Sequence, residues 1–180
     1  AGYMIPPDNW LPGLYKILKE RDILFIPDEI QTGWCRTGKM WAIEHYPGIE
    51  PDLFLIGKAI ADGLPFAVVV GRSEIMDAWA PGAHSTTFAG YMLGVAAALA
   101  TIEIFERENL AERAARMGEY FYKGLLDLVD RHPMIGYVEA KGLYIGIEFV
   151  RDRRTKEPAT KETRWLAMRL MQLGMLDKRA

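Results

Sequence analysis

The chain has 180 residues, half of them hydrophobic and 26% charged, with a formal net charge of −2. That size carries one domain with a real core, or one domain and part of another, and the composition excludes a disordered chain. The slight acidic excess argues against a nucleic-acid partner or an anionic membrane surface.

No apolar run approaches the ~18 residues of a membrane span. The start, "AGYMIPPDNW", has neither a basic leader nor a long apolar centre, so no signal peptide is read there. The chain does not begin with Met and ends soon after a helical pattern, so a fragment of a larger protein is expected. The single cysteine, Cys35, permits no internal disulfide and suits a reducing, cytoplasmic compartment.

Leu14, Ile17 and Leu18 share one face of a predicted helix in "LPGLYKILKERD". The apolar run 23–27 predicts a strand, and the glycines and prolines of 31–50 predict a long loop with short helical pieces. "DLFLIGK" (52–58) and "FAVVVG" (66–71) predict two more strands, followed by a helix-like stretch at 73–80. Residues 91–107, rich in Ala, Leu and Ile, predict a well-buried helix. Leu110, Ala114, Met117, Phe121, Leu125 and Leu128 keep the spacing of one face of another. "MIGYVEAKGLYIGIEFV" (134–150) predicts two strands around a turn at 140–142. A charged loop and a last amphipathic helix, 161–174, close the sequence. A helix leading into continuous apolar strands indicates an α/β sheet covered on both faces. A soft domain boundary is placed near residue 108.

Ligands of open α/β sheets gather at the carboxyl ends of the strands. Asp28 ends the first predicted strand, Lys58 ends the second, and "HSTTFAG" (84–90) follows the third. Each is ordinary alone: a loop acid, a surface lysine, a helix cap. Together they suggest more. A lysine against apolar walls loses its proton readily, and a neutral amine forms an imine with an aldehyde. A neighbouring carboxylate could pair with a protonated pyridine nitrogen, and hydroxyls before a helix suit a phosphate. That set describes pyridoxal phosphate. The histidines His45, His84 and His132 show no metal-ligand spacing.

The stretch "FIPDEIQTGWCRTGKMWAIEHYPGIEPDLFLIGKAIADGLP" resembles the cofactor signature of the class III pyridoxal-phosphate-dependent aminotransferases. Asp-Glu, an Arg-x-Gly, Pro-Asp, an apolar run and Gly-Lys with small residues ending in Gly occur in order over residues 25–63. "STTFAG", "AAALATIEIFERENL" and "KGLYIGIEF" extend the likeness over nearly the whole chain. The resemblance implies fold type I: part of a large domain with a mixed, mostly parallel sheet (1–108) and part of a small α+β domain (109–180). It implies Lys58 as the Schiff-base lysine and proton shuttle, and Asp28 as partner of the ring nitrogen. Ile30 would lie against the ring face, Gln31 would bond near the ring hydroxyl, and Thr87 would reach the phosphate held by a partner subunit in a homodimer. Glu29 is expected to have a structural hydrogen-bonding role.

Two departures bear on the substrate. The family's Gly-Gly-Asn-Pro reads Ala89-Gly90-Tyr91-Met92 here, and Glu139-Ala140 stand where many members carry Arg-Gly. A glutamate cannot clamp a carboxylate, so another arginine does this or the substrate end there is cationic or neutral. The expected activity is amino transfer from an amine or amino acid to a 2-oxo acid. The alternatives are an amino-acid racemase or epimerase on the same scaffold, and a non-catalytic fragment.

Overall fold

A computed structural model describes residues 3–176. They form two compact units: Pro6–Ala115, and residues 116–176 together with 3–5. The boundary expected near residue 108 falls between two helices, and the units divide a little later, inside the second of them.

In the first unit, α1 (Trp10–Glu20) ends at a turn through Asp22, whose φ is +53°. The chain then extends along β1 (Leu53–Ile56), which pairs antiparallel with β2 (Val68–Gly71), Leu53 opposite Gly71 and Ile56 opposite Val68. The extended stretch 23–27 is not the regular strand expected. Leu53 N–H donates to Phe25 O (3.5 Å), Leu55 N–H to Pro27 O (3.2 Å) and Glu29 N–H to Leu55 O (3.0 Å). This is a parallel pattern, but it completes one bridge only, Asp28 with Leu55. Pro27 has no N–H to return to the Leu53 carbonyl, so the preceding bridge cannot close. Parallel pairing is therefore confined to the Asp28 end, and the ladders among the described residues are antiparallel.

The core of this unit gathers Trp34, Ile56, Ile60, Ala61 and Ala98, with Trp41, Phe54, Phe66 and Phe105 packed around them. Trp41 meets Trp34 (centroids 5.0 Å apart) and Phe54 (4.9 Å) edge to face, the arrangement ring quadrupoles favour. The stretch after β2 gives only the short helix α2 (Ser73–Met76). Helix α3 (Met92–Arg107) is not well buried. It turns Gly94, Ala98 and Thr101 inward and leaves Met92, Leu93 and Leu99 exposed. Small residues on the packed face let it approach closely: a Cβ on Gly94 would fall 2.6 Å from the Phe66 ring.

The helix α4 (Leu110–Arg131) leads into the second unit. There β3 (Ile135–Lys141) and β4 (Tyr144–Asp152) form a hairpin around Leu125, Ile135 and Val138. Lys141 faces Tyr144, so Gly142 and Leu143 make the turn, and the φ of +56° at Gly142 suits glycine. A Cβ on Gly118 of α4 would sit 2.2 Å from Gly142 O, so α4 rests directly on this turn. The charged stretch after β4 is not simply a loop. It holds β5 (Glu157–Pro158), and Arg151 bridges Glu157 (2.9 Å) and Glu162 (3.1 Å) on α5 (Thr160–Gln172). The Arg153 guanidinium donates to Val129, His132 and Ile135 carbonyls, satisfying acceptors at the end of α4. Met92, Met117, Met168 and Met171 are exposed, whereas Met40 packs beside a core.

Candidate active site at the carboxyl end of β1

Asp28, Ile30 and Lys58 converge at the carboxyl end of β1. The bridge between Asp28 and Leu55 sets Asp28 beside the strand three residues before Lys58. A Cβ on Gly57 would meet Ile30 Cγ2 at 3.4 Å, so Ile30 lies against the backbone that delivers the lysine. Lys58 opens a 3-10 turn, Lys58–Ala61, with φ +49°, in the left-handed region. That conformation costs a residue with a Cβ about 1–2 kcal/mol, and such strain collects at functional sites. Buried Ile60 and Ala61 anchor the turn from below.

Lys58 is exposed, not pressed between apolar walls as the sequence suggested, and its side chain has no hydrogen-bond or ion-pair partner among the described residues. Asp28 is also exposed. One of its oxygens accepts Ile30 N–H at 3.0 Å and the other has no partner among the described residues. Gln31 follows on the exposed side of the turn. Thr87 sits in the wholly exposed stretch 77–90, and no hydrogen bond links it to the other four among the described residues.

Glu29 behaves differently from its neighbour. It is 2% exposed, and its carboxylate accepts Ile43 N–H (2.8 Å) and the Thr32 hydroxyl. This is the structural role expected for it. The Asp-Glu pair thus divides its labour: Asp28 faces outward and Glu29 ties down the loop behind it.

In the second unit, Glu139 accepts Ile5 N–H (2.7 Å) and the Tyr137 hydroxyl. That bond, with desolvation behind it, pushes the Tyr137 phenol above its ordinary value.

Sequence reasoning missed the opposite end of β1. Asp52, 3% exposed, accepts Lys19 Nζ on both oxygens (2.9 and 2.7 Å) and Phe25 N–H (2.7 Å), with Arg72 3.4 Å away. The Lys19 bond, then the Phe25 N–H, hold its carboxyl below the ordinary 3.8, against the opposing pull of desolvation. A cleft of about 410 Å³ opens there, but its cations already face Asp52. The only sequence signal was an acid placed immediately before an apolar run.

The groups at this end of β1 suit pyridoxal phosphate by chemistry: an outward carboxylate for a ring N–H, an exposed amine for its aldehyde and an apolar side chain beside them. Comparison with known proteins agrees. Residues 1–176 match the family model described as aminotransferase class-III, and the chain belongs to that family, whose members depend on pyridoxal phosphate. It is 42% identical to a leucine/methionine racemase of Thermococcus litoralis, over 98% of this chain and 40% of that protein. It is 40% identical to an ornithine aminotransferase of Staphylococcus carnosus, over 90% of this chain and 40% of that protein. A Bacillus anthracis aminotransferase structure superposes with a TM-score of 0.91 at 30% identity, covering 99% of this chain and 41% of that one. The chain therefore spans about two fifths of the length of these relatives.

Proposed function

We propose that the whole protein is a transaminase that moves an amino group from an amine or amino acid to a 2-oxo acid. The observation that carries this reading is the meeting of Asp28, Ile30 and Lys58 at one end of β1, with the polar pair free to engage a ligand. Bound pyridoxal phosphate supplies an aldehyde that takes up the amino group and a ring that accepts electrons from the substrate α-carbon. Lys58 Nζ would hold the cofactor through its aldehyde carbon, with loss of water, and would carry the proton at the substrate α-carbon. The Asp28 carboxylate would accept the ring N–H and keep that nitrogen protonated. Ile30 would lie on the ring face and Gln31 would bond near the ring hydroxyl. Thr87 would donate to the phosphate held by the partner subunit of a homodimer. The exposed Trp79 and Phe88 beside it support a surface that a second copy covers. A cytoplasmic setting accords with the lone, buried, unpaired Cys35.

A racemase is the second reading. The likeness to a leucine/methionine racemase is as high as that to an ornithine aminotransferase, and no arginine stands at Glu139. Such an enzyme would use the same lysine but return the proton to the opposite face of the α-carbon. Turnover of amino acids in D₂O, with and without a 2-oxo acid, separates the two. Transamination needs the oxo acid and yields its amino product. Loss of optical activity with deuterium uptake at the α-carbon, without any oxo acid, would replace the transaminase reading with the racemase.

A further inference from the structure

We propose that Glu29 is a positioning residue that sets how Asp28 and Ile30 meet the pyridine ring. The inference rests on the cofactor reading above. Every polar atom of Glu29 is engaged: N–H to Leu55 O (3.0 Å), C=O from Gly33 N–H (2.9 Å), Oε1 from Ile43 N–H (2.8 Å) and Oε2 from the Thr32 hydroxyl. Ile43 lies in the 3-10 turn Ala42–His45, whose opening N–H groups have no partner within the turn. One buried residue therefore joins three pieces: its backbone pairs with the end of β1 and closes the tight turn 29–33, and its carboxylate ties that turn to the one at 42–45. Successive side chains of extended backbone point to opposite sides, so fixing Glu29 inward fixes Asp28 outward.

The turn it holds has no slack. A Cβ on Gly33 would lie 2.8 Å from both Glu29 O and the Trp41 ring, and Trp34 and Cys35 follow with left-handed φ values of +56° and +64°. No lysine or arginine pairs with Glu29 among the described residues; its partners are two neutral donors. A buried carboxylate with only neutral partners is a costly way to cap an N–H and a hydroxyl. Glutamine can accept from Ile43 N–H and donate to the Thr32 oxygen, so it can keep both links without the charge.

The test uses the whole protein loaded with pyridoxal phosphate, comparing wild type with Glu29→Ala, Glu29→Gln and Thr32→Val. The readout is the pH titration of the bound cofactor's absorption bands, alongside kcat, KM and thermal stability. Glu29→Ala is expected to move the spectral titration by about one pH unit or more. It should lower kcat by roughly 10- to 100-fold, the range for losing an outer-shell partner in metal sites, with little change in KM. Glu29→Gln should restore both, and Thr32→Val should shift the titration in the same direction by less. If Glu29→Ala fails to fold, Thr32→Val carries the test. A variant series that changes melting temperature but leaves the titration and kcat untouched makes Glu29 merely structural and overturns the proposal. A wild-type protein without cofactor absorption overturns the cofactor reading itself, which is a different result.

Discussion

At the start of β1, Asp52 is 3% exposed and bonded to Lys19, to Phe25 N–H and, more loosely, to Arg72. Six residues later, Lys58 is exposed, unpaired and left-handed. The first end spends its charges on its own fold. Lys19 of α1, Phe25 of the extended segment and Arg72 after β2 meet at one carboxylate, which fixes the relative register of three pieces of chain. The second end leaves a carboxylate and an amine uncommitted and holds the amine in a strained turn. Asp52 pairs with what the chain provides, whereas Asp28 keeps one oxygen, and Lys58 its amine, without a partner among the described residues. The cleft opens at the Asp52 end, and the proposed cofactor site lies at the other.

The sharpest way to break this comparison is to remove Lys58. Lys58→Gly should abolish turnover of the whole protein while leaving stability equal to wild type or higher by up to about 1 kcal/mol. Relief of a left-handed side chain outweighs or cancels the extra entropy of glycine in the unfolded chain. Urea denaturation and steady-state rates check both halves. A marked loss of stability would mean that the turn serves the fold.

Asp28→Asn should come next. The rate should fall by orders of magnitude, because asparagine carries no charge to keep a ring nitrogen protonated. Stability should change by no more than about 0.5 kcal/mol, as for an exposed residue outside any network. Near-normal turnover would reduce Asp28 to a loop acid.

Asp52→Asn should show the converse: destabilisation of about 2 kcal/mol from a lost charge-assisted network, with Lys19 and Arg72 still half in water. Its pH dependence has a definite sign. The folded carboxyl lies below 3.8, so its contribution is present above that value and is lost as pH falls through the lower folded value. Unfolding followed against pH should therefore show a steeper acid limb in wild type than in Asp52→Asn. Equal limbs would remove the structural assignment of that end.

Much of this contrast was legible in the sequence, though unevenly. Strand ends pointed to Asp28 and Lys58, the family resemblance added Ile30, and the fold brings these three to one end of β1. The hairpin turn at Gly142 and helices α1, α4 and α5 followed from periodicity and turn chemistry. Three things did not. Residues 23–27 looked like a strand because apolar content says nothing of donors, and Pro27 withholds the N–H the ladder needs. Helix α3 looked buried because a helix apolar all round does not reveal which face is packed; Gly94, Ala98 and Thr101 face inward beside Phe105, while Met92, Leu93 and Leu99 face outward. The Asp52 network joins residues 19, 25, 52 and 72, too far apart in sequence for local pattern to connect.

The account stands most directly on the chemical identity of Lys58. The whole protein, incubated with pyridoxal phosphate and reduced with borohydride, can be digested and its peptides mapped by mass spectrometry. The expected result is a phosphopyridoxyl group on Lys58 alone, lost in Lys58→Gly, with Lys19 unlabelled because its ammonium is held by Asp52. Labelling at another lysine, or no stoichiometric label, would contradict the assignment of the carboxyl end of β1 as the cofactor site.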